Sequence, residues 1–377
     1  MNSVHIDAMM KVLHYCPRLR AGSPTALAVD LACGLQSSDC ANIVVSPPCE
    51  LNSRLNTAGV KHISCRRPGL FSAWHEIRRI RNIINRHKPS AVLVYSADAG
   101  WIAGLANRRI KSTRRPEIIG VLTGYPRLGI ASAGWRYCSA YTAISKHLRG
   151  VLEAPGSPLV CKPWVIPYGV NETLCNPQYT PTASWLEQWN RSLPQSAVDK
   201  LTLCVPCAIT PRHGLEDIVP ILTGLLRSGI AAHVFIAGDT RKANDEYLSN
   251  LRQMYADAQL SEHITWLGAR PDMRDVLCAC DITLTLSREP KTWDRAVLEA
   301  LALGRPVAGY DHGAIGEYLE AFLPEGRVAP GDTAGIIDTL SQWHTYSPTP
   351  ESQIPFPYRL SDTIQTYRSL FLDIQKQ

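Results

Sequence analysis

No window of this 377-residue chain holds the eighteen or more uninterrupted apolar residues of a membrane span, and the first residues lack the basic, apolar and small-residue succession of an export signal. A membrane-embedded or secreted protein is therefore not expected. Phenylalanine and methionine are scarce, at five each, yet 45% of the residues are apolar, so the cores must be built on aliphatic side chains. The twelve cysteines, with no export signal, read as reduced thiols packed as small hydrophobes. Cys204 and Cys207 form a CxxC, but it ends a strand-like run and no second pair stands at zinc-ribbon spacing. No nucleic-acid-binding module accompanies the basic residues.

What is present is an asymmetry of charge and a regular alternation. Residues 1–170 hold 22 Lys and Arg against 8 Asp and Glu, whereas the remainder holds 17 against 25. The length suits two domains. Strand-like runs are expected at 11–15, 42–45, 62–65, 91–95, 118–122 and 141–144, and again at 201–205, 233–237, 264–267, 282–286, 307–310 and 327–329, separated by helical segments. That alternation is the mark of α/β, doubly wound parallel sheets. The strand pattern begins at Met10, which leaves the first nine residues as a loose extension or Met10 as the start.

The most informative stretch runs Ser287-Arg288-Glu289-Pro290-Lys291-Thr292-Trp293-Asp294-Arg295-Ala296-Val297-Leu298-Glu299-Ala300-Leu301, followed by Gly304-Arg305-Pro306-Val307 and Asp311-His312-Gly313-Ala314-Ile315-Gly316-Glu317. A strand, a loop, a helix with Val297, Leu298, Leu301 and Leu303 at helical spacing, and another strand make one unit of an open parallel sheet. Ligands of such sheets sit beyond the carboxyl ends of the strands. A helix N-terminus there favours phosphate, and Glu299, about two turns in, suits a ribose hydroxyl pair.

This run resembles the region of two glutamates separated by seven residues in retaining, nucleotide-sugar-dependent glycosyltransferases of family 4, above all bacterial lipopolysaccharide-core and polysaccharide enzymes. Pro290, Arg295, Glu299, Ala300, Leu301, Gly304, Pro306, Val307, Asp311, His312, Gly313 and Glu317 match the pattern, and Trp293 replaces its aromatic residue. The resemblance implies the GT-B fold, two facing Rossmann-like domains with a cleft between them. It places an acceptor-side domain at 10–174, a linker at 175–200, a donor-binding domain at 201–354, and at 355–377 a terminal helix packing back on the first domain. It further implies a donor site formed by Glu299 and the backbone of Trp293, Asp294, Arg295 and Ala296, with Gly22, Ser23, Gly238 and Arg270 at its borders. His213 stands where the family has the lysine of its diphosphate clamp and would act protonated, Arg212 beside it would supply the charge of the arginine that Ala208 replaces, and Lys291 would join them at the developing leaving-group charge. No cofactor and no metal are implied; a nucleotide-sugar, UDP-sugar first, is the substrate.

Four departures accompany the matches. Lys291 stands eight before Glu299, where the family has its first glutamate, and a lysine there favours an acidic sugar such as a uronate. Asp294 replaces a glycine beside the donor phosphates, and Ala208 replaces an arginine. In 119–127 the family histidine is not visible. The expected activity is sugar transfer to a saccharide or lipid-linked saccharide in cell-surface polysaccharide or lipopolysaccharide synthesis, in the cytoplasm, with peripheral membrane contact through the basic amphipathic helix at 74–88. The alternatives are a non-catalytic relative with a degraded donor site and a nucleotide-sugar epimerase.

Overall fold

The structure is a computed structural model of the chain that describes residues 9–20, 23–66, 72–111, 115–126, 130–157, 159–355 and 357–375. The chain divides into two compact units, one of residues 1–169 with 360–377, the other of residues 170–359. The first unit is thus discontinuous and the second is a single uninterrupted stretch.

The first unit carries a seven-stranded sheet of β1 (Met10–Tyr15), β2 (Cys40–Ser46), β3 (Lys61–Ser64), β4 (Ala91–Val94), β5 (Glu117–Leu122), β6 (Ala140–Ala143) and β7 (Trp164–Val165). Its order is β3-β2-β1-β4-β5-β6-β7 and every pairing is parallel. Strands covered on both faces have no solvent side, so they read as near-continuous apolar runs. Val12, Leu13, Val92, Leu93, Ile119 and Val121 are all fully buried. The helix Leu360–Gln375 completes this unit: Tyr367 places its hydroxyl 2.7 Å from Thr142 Oγ1, and Arg368 pairs with Asp39 at 3.2 Å.

The second unit has a six-stranded sheet of β8 (Leu201–Pro206), β9 (Ala232–Ala237), β10 (Ile264–Trp266), β11 (Ile282–Thr285), β12 (Val307–Tyr310) and β13 (Arg327–Val328), in the order β10-β9-β8-β11-β12-β13. All its pairings are parallel. In both sheets the order reverses beside the first strand, between β1 and β4 and between β8 and β11, the arrangement that opens a crevice beyond the strand ends.

The stretch expected as a linker is built otherwise. Residues Ala183–Ser192 form a helix capped by the Thr182 side chain, and Trp185 and Trp189, one turn apart, stack at 5.3 Å. Trp189 is buried against Phe235 of β9, so this segment belongs to the core of the second unit. Composition pointed to a linker because Pro, Thr, Ser and Gln surround the helix, while the two tryptophans carry the packing.

Candidate functional site: the loops after β8 and β11

Two loops leave the carboxyl ends of adjacent strands at the switch point of the second sheet. After β8, residues 207–214 end in a short turn, Pro211–His213, closed by Gly214 at φ +63°. After β11, Ser287 to Asp294 lead into the helix Arg295–Ala302. The loops are tied together: the Arg288 backbone N–H donates to the Arg212 carbonyl at 2.8 Å, and the Arg288 guanidinium pairs with Asp217 at 2.7 Å. Tyr310, at the end of β12, donates its hydroxyl to the other Asp217 oxygen at 2.8 Å. A side chain at Gly214 would run into the Leu286 carbonyl, so the approach of the two loops depends on glycine there.

A third segment clasps the β11 loop. His312 Nε2 donates to the Ser287 carbonyl at 2.8 Å, and the Ala314 N–H donates to the Lys291 carbonyl at 2.8 Å. Between them Gly313, at φ +60°, lies so close that a Cβ would stand 2.6 Å from the Lys291 carbonyl oxygen. The Asp311-His312-Gly313 match is therefore a support for the loop.

The helix N-terminus is already occupied by a carboxylate of the chain itself. Asp294, buried, accepts from the Val297 N–H at 3.2 Å through one oxygen and from Lys291 Nζ at 2.7 Å through the other. Negative charge at this position is favourable for the reasons that make such a terminus attract phosphate. The backbone of residues 293–296, expected to hold donor phosphates, thus leads into a helix whose third amide is spoken for. Lys291, expected to grip an acidic sugar, pairs here with Asp294. Glu299 lies on the inner side of the helix, its side chain 12% exposed, and one oxygen accepts from Arg295 Nε at 2.6 Å. Arg295, expected among the donor ligands, is here the partner of Glu299.

Other expected residues fall into place differently. Arg212 is 73% exposed and, among the described residues, pairs with Glu289 at 3.4 Å, a long, weak pairing that leaves the guanidinium free to turn. His213 accepts or donates at 2.8 Å with Thr210 Oγ1. Burial, then the charge of Lys291 and Arg212, push its pKa down to about 4, with Asp294 opposing. His213 is therefore neutral at pH 7, and the expectation of a protonated histidine is corrected. Gly238, at the end of β9, is where a side chain would meet the Cys207 carbonyl, so it serves the close packing of strand ends. Arg270 is held by Asp272 at 2.9 and 2.5 Å, and Asp272 also accepts from Trp185 Nε1 at 2.7 Å, which commits Arg270 to the packing of the tryptophan helix. Ser23 donates to the Arg20 carbonyl at 2.9 Å within its own turn. Gly22 lies outside the described residues. Asp217, Tyr310 and Arg288 were missed; only the order of strands joins them.

Burial pushes the Cys207 thiol up to about 12, so Cys207 holds no thiolate at neutral pH. Among the described residues, no group of three His, Cys, Asp or Glu is placed to hold a metal ion.

Residues 200–345 match the family model described as "Glycosyl transferases group 1". No curated protein matches the chain. A glycosyltransferase from Rickettsia africae ESF-5 shares 18% identity, covering 98% of this chain and 99% of that one with a TM-score of 0.82. Anabaena Alr3699/HepE, solved with UDP and glucose, shares 16% over 98% of each chain at a TM-score of 0.70. The lipopolysaccharide outer core galactosyltransferase WaaB, in its apo form, shares 13% over 97% and 98% at 0.65. The chain thus has the α/β fold of GT-B glycosyltransferases, and the match to the group 1 family model lies within its second unit.

Proposed function

We propose that the chain is a retaining, family 4 glycosyltransferase that binds a UDP-sugar on the second unit. It passes the sugar to a saccharide or lipid-linked saccharide held by the first. The observation that carries this reading is the inward-facing Glu299, one oxygen held by Arg295 at 2.6 Å, on the helix beyond the switch point of a domain that matches the group 1 model. Its second oxygen accepts from ribose hydroxyls. UDP is the first choice of donor because Anabaena Alr3699/HepE has been solved with UDP-glucose. The exposed Arg212 meets the charge that develops on the diphosphate as the sugar departs, the work a metal does elsewhere. Neutral His213 donates a hydrogen bond without adding charge. A setting in lipopolysaccharide or polysaccharide synthesis at the cytoplasmic face of the membrane suits the basic first unit.

Calorimetric titration of the full chain against a panel of nucleoside diphosphates and their sugars, repeated with Glu299→Ala, tests this. UDP is expected to bind, with at least about tenfold loss in the variant, one hydrogen-bonded carboxylate's worth. A folded chain that binds no nucleotide overturns the reading.

One observation favours a second reading, a relative without turnover: the Asp294 carboxylate stands at the helix N-terminus where donor phosphates would come. UDP binding without UDP release from any sugar nucleotide, across a broad set of acceptors, would select it.

A further inference from the structure

Two arginines reach the switch point of the second sheet, and the fold uses them differently. Arg212 stands on the short turn after β8 with its side chain largely exposed, and its pairing with Glu289 is long. Arg288, on the loop after β11, lies between two carboxylates: one guanidinium nitrogen is 2.7 Å from Asp217 and another 3.6 Å from Glu216. The Asp217 side chain is only 14% exposed, so water and salt screen this pair little. The hydrogen bond to Asp217, then the charges of Asp217 and Glu216, hold the Arg288 pKa above its ordinary value. A guanidinium between two acids is turned toward the protein, and an incoming diphosphate must compete with both.

Arg288 also grips the turn through its backbone. Its N–H donates to the Arg212 carbonyl at 2.8 Å, while its side chain reaches Asp217 further along the same segment. A single residue of the β11 loop therefore fastens residues 212–217 at both ends. Between those ends Gly214 takes its positive φ, and the Asp217 N–H donates to the Gly214 carbonyl at 3.0 Å, which closes the turn on itself. Ser287, buried, adds its hydroxyl 3.4 Å from the same Arg212 carbonyl.

Asp217 is the shared anchor. One carboxylate oxygen accepts from the Arg288 guanidinium, and the other accepts from the Tyr310 hydroxyl at 2.8 Å. Tyr310 is fully buried at the end of β12, so the sheet sets its position. The order of support is thus the sheet, Tyr310, Asp217, Arg288 and last the backbone of Arg212. The links through Asp217 involve charge and are the stronger ones.

We propose that Asp217, Arg288 and Tyr310 are positioning residues for Arg212: they fix its carbonyl, and so the direction in which its exposed guanidinium leaves the turn, without touching the ligand themselves. The role of Arg212 rests on the nucleotide-sugar reading above; the fastening of its turn does not. A side chain whose root is fixed loses less freedom when it meets a diphosphate, and it binds the more tightly for that.

The experiment is a double-mutant cycle in calorimetric titration of the full chain with UDP, run beside hydrogen-exchange mass spectrometry of the chain without ligand. Arg212→Ala is expected to weaken UDP binding about tenfold or more, and Arg288→Ala, Asp217→Asn and Tyr310→Phe about threefold to tenfold each. In the Arg212→Ala background the same three substitutions should change UDP affinity by less than about twofold. Without ligand, amide exchange in residues 207–217 should quicken in Asp217→Asn and Tyr310→Phe while residues 201–206 keep their rate. Tyr310→Phe is the mildest of these changes, since it removes one hydroxyl and keeps the ring, and circular dichroism checks that every variant remains folded. Losses that add in the cycle overturn the proposal, because Arg288 would then act on the nucleotide directly or through the loop at large. Unchanged exchange in residues 207–217 overturns it whether or not UDP binds. A chain that binds no UDP yet shows the quickened exchange keeps the fastened turn and removes the nucleotide reading instead.

Discussion

At the scale of single residues, the donor loop is dominated by a contest for one helix terminus. Asp294 gives the Arg295–Ala302 helix a cap worth about 1 kcal/mol, and the same carboxylate repels an incoming diphosphate. Asp294→Gly should therefore lower stability, read as a drop in urea midpoint, while raising UDP affinity in calorimetry. A fall in both would show that Asp294 supports the site rather than obstructing it. Lys291→Ala leaves a buried carboxylate without its 2.7 Å partner and should cost about 1–3 kcal/mol. Adding Asp294→Asn should recover part of that loss, and a double-mutant cycle measures the coupling. Sequence alone exposed Lys291 and Asp294 as substitutions at sensitive positions. It did not expose that they answer each other, because a spacing of three does not say whether two side chains turn inward or toward each other.

At the scale of elements, the parallel strands were plain in the sequence because burial on both faces leaves them nearly all apolar. Most of β1, β2, β4, β5, β8, β9, β11 and β12 lies where the apolar runs place it. β7, two residues long, left no pattern to read, and the Ala183–Ser192 helix was hidden by the proline- and serine-rich composition around it. The candidate site was legible where chemistry is carried within one loop and helix, as at Glu299. It was illegible where three loops meet, as at Arg288, Asp217 and Tyr310, which are separated by 71 and 93 residues. Gly313 tests how far that meeting sustains the site. Gly313→Ala forces a left-handed backbone onto a residue with a side chain and drives a Cβ against Lys291. A loss of about 1–3 kcal/mol in the urea midpoint is expected, together with weaker UDP binding.

At the scale of the whole molecule, two buried histidines and the half-buried His213 set a pH dependence. His14, His213 and His233 have pKa values lowered from 6.5 to about 4 by burial. Between those values the unfolded chain binds protons that the folded chain refuses, so their contribution is present in full above 6.5 and is lost as pH falls toward 4. Urea midpoints should fall from pH 7 to pH 5, and His14→Gln should flatten part of that fall. The helix Ala73–His87 bears on the proposed membrane contact. Trp74 is 62% exposed, with the Arg109 guanidinium 5.0 Å above its ring. No helix among the described residues is long and apolar enough to cross a bilayer. Sedimentation with vesicles containing phosphatidylglycerol should carry the protein down at low salt. Trp74→Ala with Arg78→Ala should weaken this about fivefold or more, and uncharged phosphatidylcholine vesicles should not bind it.

The division of the chain also has a consequence for its synthesis. The helix Leu360–Gln375 fills the place beside Gly34, where Ile364 packs against the Leu27–Leu35 helix, yet it is translated only after the whole of residues 170–359. The first unit is complete only once that last helix has been made, whereas the second unit is one continuous stretch. A released chain that ends at Arg359 should show a second unit that resists protease and a first unit that is cut more readily than in the full chain.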